Sequence, residues 1–148
     1  VSVTAQGLTL AQNRSEIAHF PKKAVDTATV MIRFDSGDLA TFVVSWGIPP
    51  GATPPQQLGD HFYGAKGILR VKYQRTHQLV EWLPENGGDW QPLFHSDEDM
   101  YQQEIEAFAN CILYDLPILT RGEDGRLGLE VSLAALKSVR TGQPVVIE

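Results

Sequence analysis

Four histidines, His19, His61, His77 and His95, are the residues of this chain best suited to hold a metal, and their spacing limits what they can do. No two are separated by the three residues of an HExxH helix, and one cysteine, Cys111, is too few for a cysteine-rich zinc centre. The spacing therefore predicts no metal site. Ser45 lies in VVSWG, inside an expected strand and outside any GxSxG elbow, so it reads as a small packing residue and a hydrolase is not indicated. Gly64-Ala65-Lys66-Gly67 lacks the GxGxxG or P-loop spacing that lets backbone amides surround a phosphate, and reads as a turn between strands. Asp97-Glu98-Asp99 has neither the alternation nor the glycine of an EF-hand, so it reads, like Glu123-Asp124, as negative charge at a helix start. Trp46 and His61 are left as candidate substrate-facing residues, because each lies on or beside strands that flank a proline-rich stretch.

These residues sit in a chain of 148 residues with 12 Lys and Arg against 18 Asp and Glu, a net charge of −6 and 43% hydrophobic content. That is one domain of ordinary size, able to build a core without crosslinks. A lone cysteine cannot form an intrachain disulfide, which points to a reducing compartment and hence the cytoplasm. The net charge is negative and the basic residues are scattered, so neither nucleic acid nor an anionic membrane is an expected partner. Apolar runs such as Phe42-Val43-Val44 fall far short of the roughly 20 residues that span a bilayer. The opening VSVTAQGLTL starts on Val and lacks the regions of a signal peptide, so the chain reads as cut from something longer.

Period-two patterns fill the first two thirds and period-3.6 patterns the last third, the segregation typical of an α+β fold. The clearest strand pair is Asp26 to Phe34 with Leu39 to Trp46, joined by Asp35-Ser36-Gly37-Asp38. If Asp35 faces Asp38, then Ala28, Val30, Ile32, Phe34, Leu39, Thr41, Val43 and Ser45 share one face. The other would carry Thr27, Thr29, Met31, Arg33, Ala40, Phe42, Val44 and Trp46, too apolar for water alone. Both faces are therefore expected to be covered, with Met31, Phe42, Val44 and Trp46 as candidate interface residues.

Pro49-Pro50-Gly51 and Pro54-Pro55 end the second strand and predict an extended excursion through Gln57. Further strands are expected at Asp60 to Tyr63, Ile68 to Tyr73, Gln78 to Leu83 and, weakly, Trp90 to Leu93 after the Asn86-Gly87-Gly88-Asp89 turn. A first helix should begin near Asp99, with Tyr101, Ile105, Phe108, Ala109 and Ile112 at helical spacing, and be bounded by Pro117. A second should run from Glu123 or Asp124 to Thr141-Gly142, apolar enough around its circumference to be mostly buried. Pro144 to Ile147 closes the chain as a strand.

Several segments in order then carry a resemblance: Asp26 to Phe34, Ser36-Gly37, Ser45 and Tyr63-Gly64-Ala65-Lys66-Gly67-Ile68-Leu69-Arg70-Val71 in the first half. In the second half they are Tyr101 to Cys111, Thr120-Arg121-Gly122-Glu123-Asp124-Gly125-Arg126, Ser138, Thr141-Gly142 and Pro144-Val145. Across nearly the whole chain this resembles the C-terminal domain of the glucose-fructose oxidoreductase and inositol dehydrogenase (Gfo/Idh/MocA) family. The resemblance implies an open, predominantly antiparallel sheet with two main helices on one face, the other face serving assembly. It further implies an N-terminal Rossmann domain binding NAD or NADP, followed by Glu-Lys-Pro and a catalytic Asp and His. None of these is in this chain, so no catalytic and no cofactor-binding residue is carried over onto it.

The reading is a single domain over residues 1–148, without cofactor of its own, that forms the substrate side and assembly surface of a parent NAD(P)-dependent oxidoreductase. The parent would act on a sugar, polyol or related hydroxylated compound, partnered by its Rossmann domain and by further copies of itself, and the fragment alone would be inactive. A non-catalytic dimerisation module, or a small-ligand-binding module using Pro49 to Gln57 as a lid, is the alternative.

Overall fold

The computed structural model describes residues 1–49, 51–52 and 59–147. Its strands are β1 (Ser2–Leu8), β2 (Thr27–Arg33), β3 (Leu39–Ser45), β4 (Asp60–Gly64), β5 (Gly67–Gln74), β6 (His77–Pro84), β7 (Gln91–Ser96) and β8 (Val145–Val146). Its helices are α1 (Met100–Leu113) and α2 (Gly122–Thr141), and a short 3-10 turn covers Ser15–Ile17. The strands form two antiparallel four-stranded sheets, ordered β3-β2-β1-β8 and β4-β5-β6-β7, so the α+β class and the antiparallel pairing are as expected. Two compact units result: Val1–Ala52 with Thr120–Glu148, and Thr53–Leu119. Most of the excursion expected between Pro49 and Gln57 lies outside the described residues.

In the first unit β1, which is not among the expected strands, is an interior strand between β2 and β8. Its small residues make room for α2. Val3 is fully buried and packs with Ile32 of β2 and Ala134 of α2, flanked by Val131, Ala135 and Val145. Gly7 has no spare space either, since a Cβ there would lie 2.6 Å from Val25 Cγ1 and 3.3 Å from Val139 Cγ2. β8 pairs only with Ser2 and Val3, and further along β1 the Ala5 N–H donates instead to Ser138 Oγ at 2.9 Å, with Ser138 wholly buried.

Helix α2 starts where the Arg121 N–H donates to Asp124 Oδ2 and ends at Gly142, whose φ of 68° is the left-handed cap glycine adopts without strain. The expectation that α2 is mostly buried is not met. Leu127, Leu129 and Leu133 stay about half exposed, because a helix on one sheet face buries only the stripe that meets it, here Val131, Ala134, Ala135 and Ser138.

The β2–β3 hairpin forms where expected, but its register is one residue away. Arg33 faces Leu39 and Val30 faces Phe42, with Asp35-Ser36-Gly37 as a three-residue loop. The Gly37 N–H donates to Phe34 O and the Phe34 N–H to Asp38 O, with Gly37 at φ 94°. The two-residue alternative would need positive φ at both central positions, and Ser36 disfavours it, so only the glycine turns left-handed and the loop gains a residue. A one-residue slip exchanges the faces of β3. Ala40, Phe42 and Val44 join Ala28, Val30 and Ile32 on the α2 side, while Leu39, Thr41 and Val43 join Met31 on the side away from α2. Met31, Phe42, Val44 and Trp46 therefore do not share one surface.

The second unit holds the other sheet and α1, whose start is capped by the Asp99 carboxylate accepting the Tyr101 N–H at 2.9 Å. β7 runs to Ser96, three residues beyond the expected end, after a bulge opposite Val80 and Glu81. Phe62, Leu69 and Trp82 align across one face of this sheet, and His61, Arg70 and Glu81 across the other.

Replacing Ser138 by Ala leaves the buried Ala5 N–H without an acceptor, and is expected to cost about 1–3 kcal/mol of stability. Urea unfolding followed by circular dichroism checks this; an unchanged midpoint would mean the bond contributes nothing.

Candidate functional site

Beside α2 the first unit carries an open cleft of about 500 Å³, lined by Ala28, Val30, Phe42, Val44 and Trp46 from the sheet side and Val131, Ser132, Ala135 and Val139 from the helix. Its lining is apolar apart from Asp26, Thr27 and Ser132, which suits it to cover hydrocarbon surface and not to ionise a substrate. Trp46 is 83% exposed and is fixed through its backbone, its N–H donating to Asp26 O at 2.7 Å.

Asp26 is the polar anchor of this region. Its carboxylate accepts the Leu10 N–H at 2.8 Å, the Ala11 N–H at 2.9 Å and the Thr27 hydroxyl at 2.9 Å. A Cβ on Gly47 would stand 2.7 Å from Asp26 Oδ1, and Arg14 donates to the Gly47 carbonyl. The Ala11 N–H is the largest influence on Asp26 and, with Leu10, Thr27 and the Arg14 charge, outweighs partial burial to hold its pKa below the ordinary 3.8. Little in the sequence signals this, because the main partners are backbone amides 15 and 16 residues away.

The polar face of the second sheet carries His61 opposite Arg70, which in turn faces Glu81. Arg70 and Lys72 both reach Glu81 Oε2, at 2.7 and 3.2 Å, and the Arg70 guanidinium lies 4.0 Å from the Trp90 ring centroid. Burial raises the Glu81 pKa, and the hydrogen bonds and charges of Arg70 and Lys72 overcome it, so the group lies below its ordinary value. His61 is exposed and stacks near Tyr63 at 6.2 Å. Trp46 belongs to the first unit and His61 to the second.

At the end of the same sheet face, Asp97 Oδ1 is 2.9 Å from His77 Nδ1 and 3.1 Å from His95 Nε2, and the two imidazole centroids are 5.1 Å apart. The His77 hydrogen bond is the main cause that holds the Asp97 pKa below its ordinary value. Separation along the chain had set these histidines apart. With Gln78 paired to Ser96 and Leu79 to His95, the β6–β7 register removes that separation. The available signal was the turn at Asn86-Gly87-Gly88-Asp89, but ending the strand at Leu93 stopped short of His95 and Asp97.

Ser45 shares its hydroxyl with Thr27 across the strands at 2.8 Å, on the side away from α2. Gly64-Ala65-Lys66-Gly67 joins the antiparallel strands β4 and β5, so no helix N-terminus follows it and it does not fit a dinucleotide pyrophosphate. No helix among the described residues is long and apolar enough to cross a membrane.

Two antiparallel sheets, each in a unit with one long helix, define an α+β domain, and comparison with known proteins says which kind. Residues 1–147 match the oxidoreductase family, C-terminal alpha/beta domain, so the chain belongs to the Gfo/Idh/MocA oxidoreductases through that domain. It is 30% identical over 130 residues to the scyllo-inositol 2-dehydrogenase (NAD(+)) of Bacillus subtilis (strain 168), covering 84% of this chain and 36% of that protein. An aldose-aldose oxidoreductase from Caulobacter crescentus, solved with glycerol, superposes with a TM-score of 0.75 at 20% identity, over 99% of this chain and 41% of that one. An oxidoreductase from Agrobacterium radiobacter, solved with NAD+, L-tartaric acid and magnesium, gives 0.63 at 19% identity, over 97% and 42%. At these identities the two structures establish the shared fold alone. The chain spans about two fifths of the length of these relatives.

Asp26 contributes stability that is complete above pH 3.8 and is lost as pH falls through its lower folded-state pKa. Asp26→Asn should therefore lower the melting temperature at neutral pH and narrow the gap to the wild type under acid. Melting curves from neutral pH to below pH 3 check this, and a gap that stays constant would refute it.

Proposed function

We propose that this chain is the substrate-side and assembly part of an NAD(P)-dependent oxidoreductase that acts on a sugar, polyol or related hydroxylated compound. The observation that carries the reading is the match over residues 1–147 to an oxidoreductase C-terminal domain, together with 30% identity to an NAD-dependent inositol dehydrogenase of which the chain spans 36%. The dinucleotide, when bound, supplies a hydride acceptor. The glycine turn that could be confused with its cradle lies between two antiparallel strands, so its place is assigned to an N-terminal Rossmann domain, and no catalytic residue is assigned to this chain. Its own contribution is shape: exposed Trp46 on one unit and His61 on the other are offered as substrate-facing residues, with a charged, tied-down row of Arg70, Glu81 and Lys72 behind His61. On this reading the 148 residues by themselves do not turn over.

Assembly is assigned to the face of the first sheet away from α2, where Met31, Leu39 and Val43 are 44%, 65% and 76% exposed. Of the candidate interface residues only Met31 lies there; Phe42, Val44 and Trp46 border the cleft on the other side.

The activity test follows nicotinamide reduction with a panel of inositols, aldoses and polyols. The protein extended through a Rossmann domain should turn over and the chain alone should not; reduction by the chain alone, or none by the extended protein with any of these compounds, would overturn the reading. For assembly, Val43→Glu should shift the light-scattering mass towards the monomer while Phe42→Glu does not. Equal effects of the two would remove the face away from α2 as the interface.

A further inference from the structure

We propose that His77, His95 and Asp97 form a binding site for a borderline-soft divalent cation, zinc in the first instance, that clips β7 to β6 at the edge of the second sheet.

The three side chains come together through strand pairing alone. Gln78 faces Ser96, so continuing the ladder by one residue sets His77 against Asp97, and His95, two residues before Asp97, projects from the same face. Their ligand atoms, two imidazole nitrogens and one carboxylate oxygen, all lie within 4.8 Å of one another, the only such group of three among the described residues. A tetrahedral zinc with bonds near 2.0–2.1 Å keeps its ligand atoms about 3.3 Å apart. The two distances to Asp97 Oδ1, 2.9 and 3.1 Å, are already within a few tenths of that edge. Only the edge between the imidazoles has to close, by no more than about 1.5 Å.

The donor set selects the ion. Two imidazoles and one carboxylate suit zinc, cobalt, nickel or copper and discriminate against magnesium and calcium, which take oxygen ligands. All three side chains are exposed, so entry requires no opening of the fold and the remaining positions are left to water. Lys72, the lysine on the same face two strands away, is held by Glu81 at 3.2 Å. β7 is the outer strand of its sheet, joined to β6 around a bulge at Val80 and Glu81. An ion bonded to both strands would therefore brace the outer strand at the end of the ladder beyond that bulge.

The test is zinc titration of the chain, without a histidine tag, by calorimetry and by heteronuclear NMR. One equivalent should bind and raise the melting temperature, with shifts concentrated at His77, His95 and Asp97, and magnesium at the same concentration should do neither. His95→Gln and Asp97→Asn, both exposed substitutions checked for native circular dichroism, should each weaken zinc binding by at least about the 10–100-fold that loss of an outer-shell partner costs. Cobalt should give the visible absorption of a low-coordinate nitrogen–oxygen site that is lost in the same variants. Non-saturable binding, shifts located elsewhere in the wild type, equal response to magnesium, or undiminished affinity in both variants would each overturn the proposal.

Discussion

Helix α2 can lie against the first sheet only because β1 presents small or well-fitted groups beneath it. Val3 fills the centre with Ile32 and Ala134, Gly7 leaves no space for a Cβ, and Ser138 supplies the acceptor that the short β8 does not extend far enough to give Ala5. Buried backbone donors are costly to leave unpaired, so this hydrogen bond fixes the rotation of the helix as well as its distance. The rest of the unit follows from that fit. Once α2 occupies one side of the sheet, the opposite side is left with Met31, Leu39 and Val43, and the cleft beside the helix is left with Phe42, Val44 and Trp46.

The second sheet is organised by charge where the first is organised by packing. Glu81 accepts from Arg70 and Lys72 together, and Arg70 is further covered by Trp90, so a half-buried acid is compensated by two bases and an aromatic face. Removing either base would leave part of the desolvation of Glu81 unmet. The same face ends in His77, His95 and Asp97, where two imidazoles share one carboxylate oxygen. Neither cluster is contiguous in sequence; both are products of antiparallel pairing.

The register of β2 and β3 shows how much can hang on one turn residue. Glycine reaches positive φ freely and serine does not, so Asp35-Ser36-Gly37 closes as a three-residue loop. That single residue transfers Phe42 and Val44 from the proposed assembly side to the helix side.

The amino-acid sequence by itself determined the α+β class, the family, the place of the β2–β3 hairpin, the start of α1 and the span of α2 to within a residue or two. These depend on period, caps and glycines, which act over a few residues: Asp99 caps α1 and Gly142 ends α2 as local chemistry requires. Tertiary structure alone decided that Ser2–Leu8 is an interior strand, since the alternation of Val3, Ala5 and Gly7 with Ser2, Thr4 and Gln6 does not report that the inward residues meet a helix more than 120 residues away. It also decided that Asp26 binds the backbone of Leu10 and Ala11 and that His77 meets His95. Side-chain identity at one position cannot report which distant backbone or strand will be its neighbour until register, packing and burial have selected one pairing.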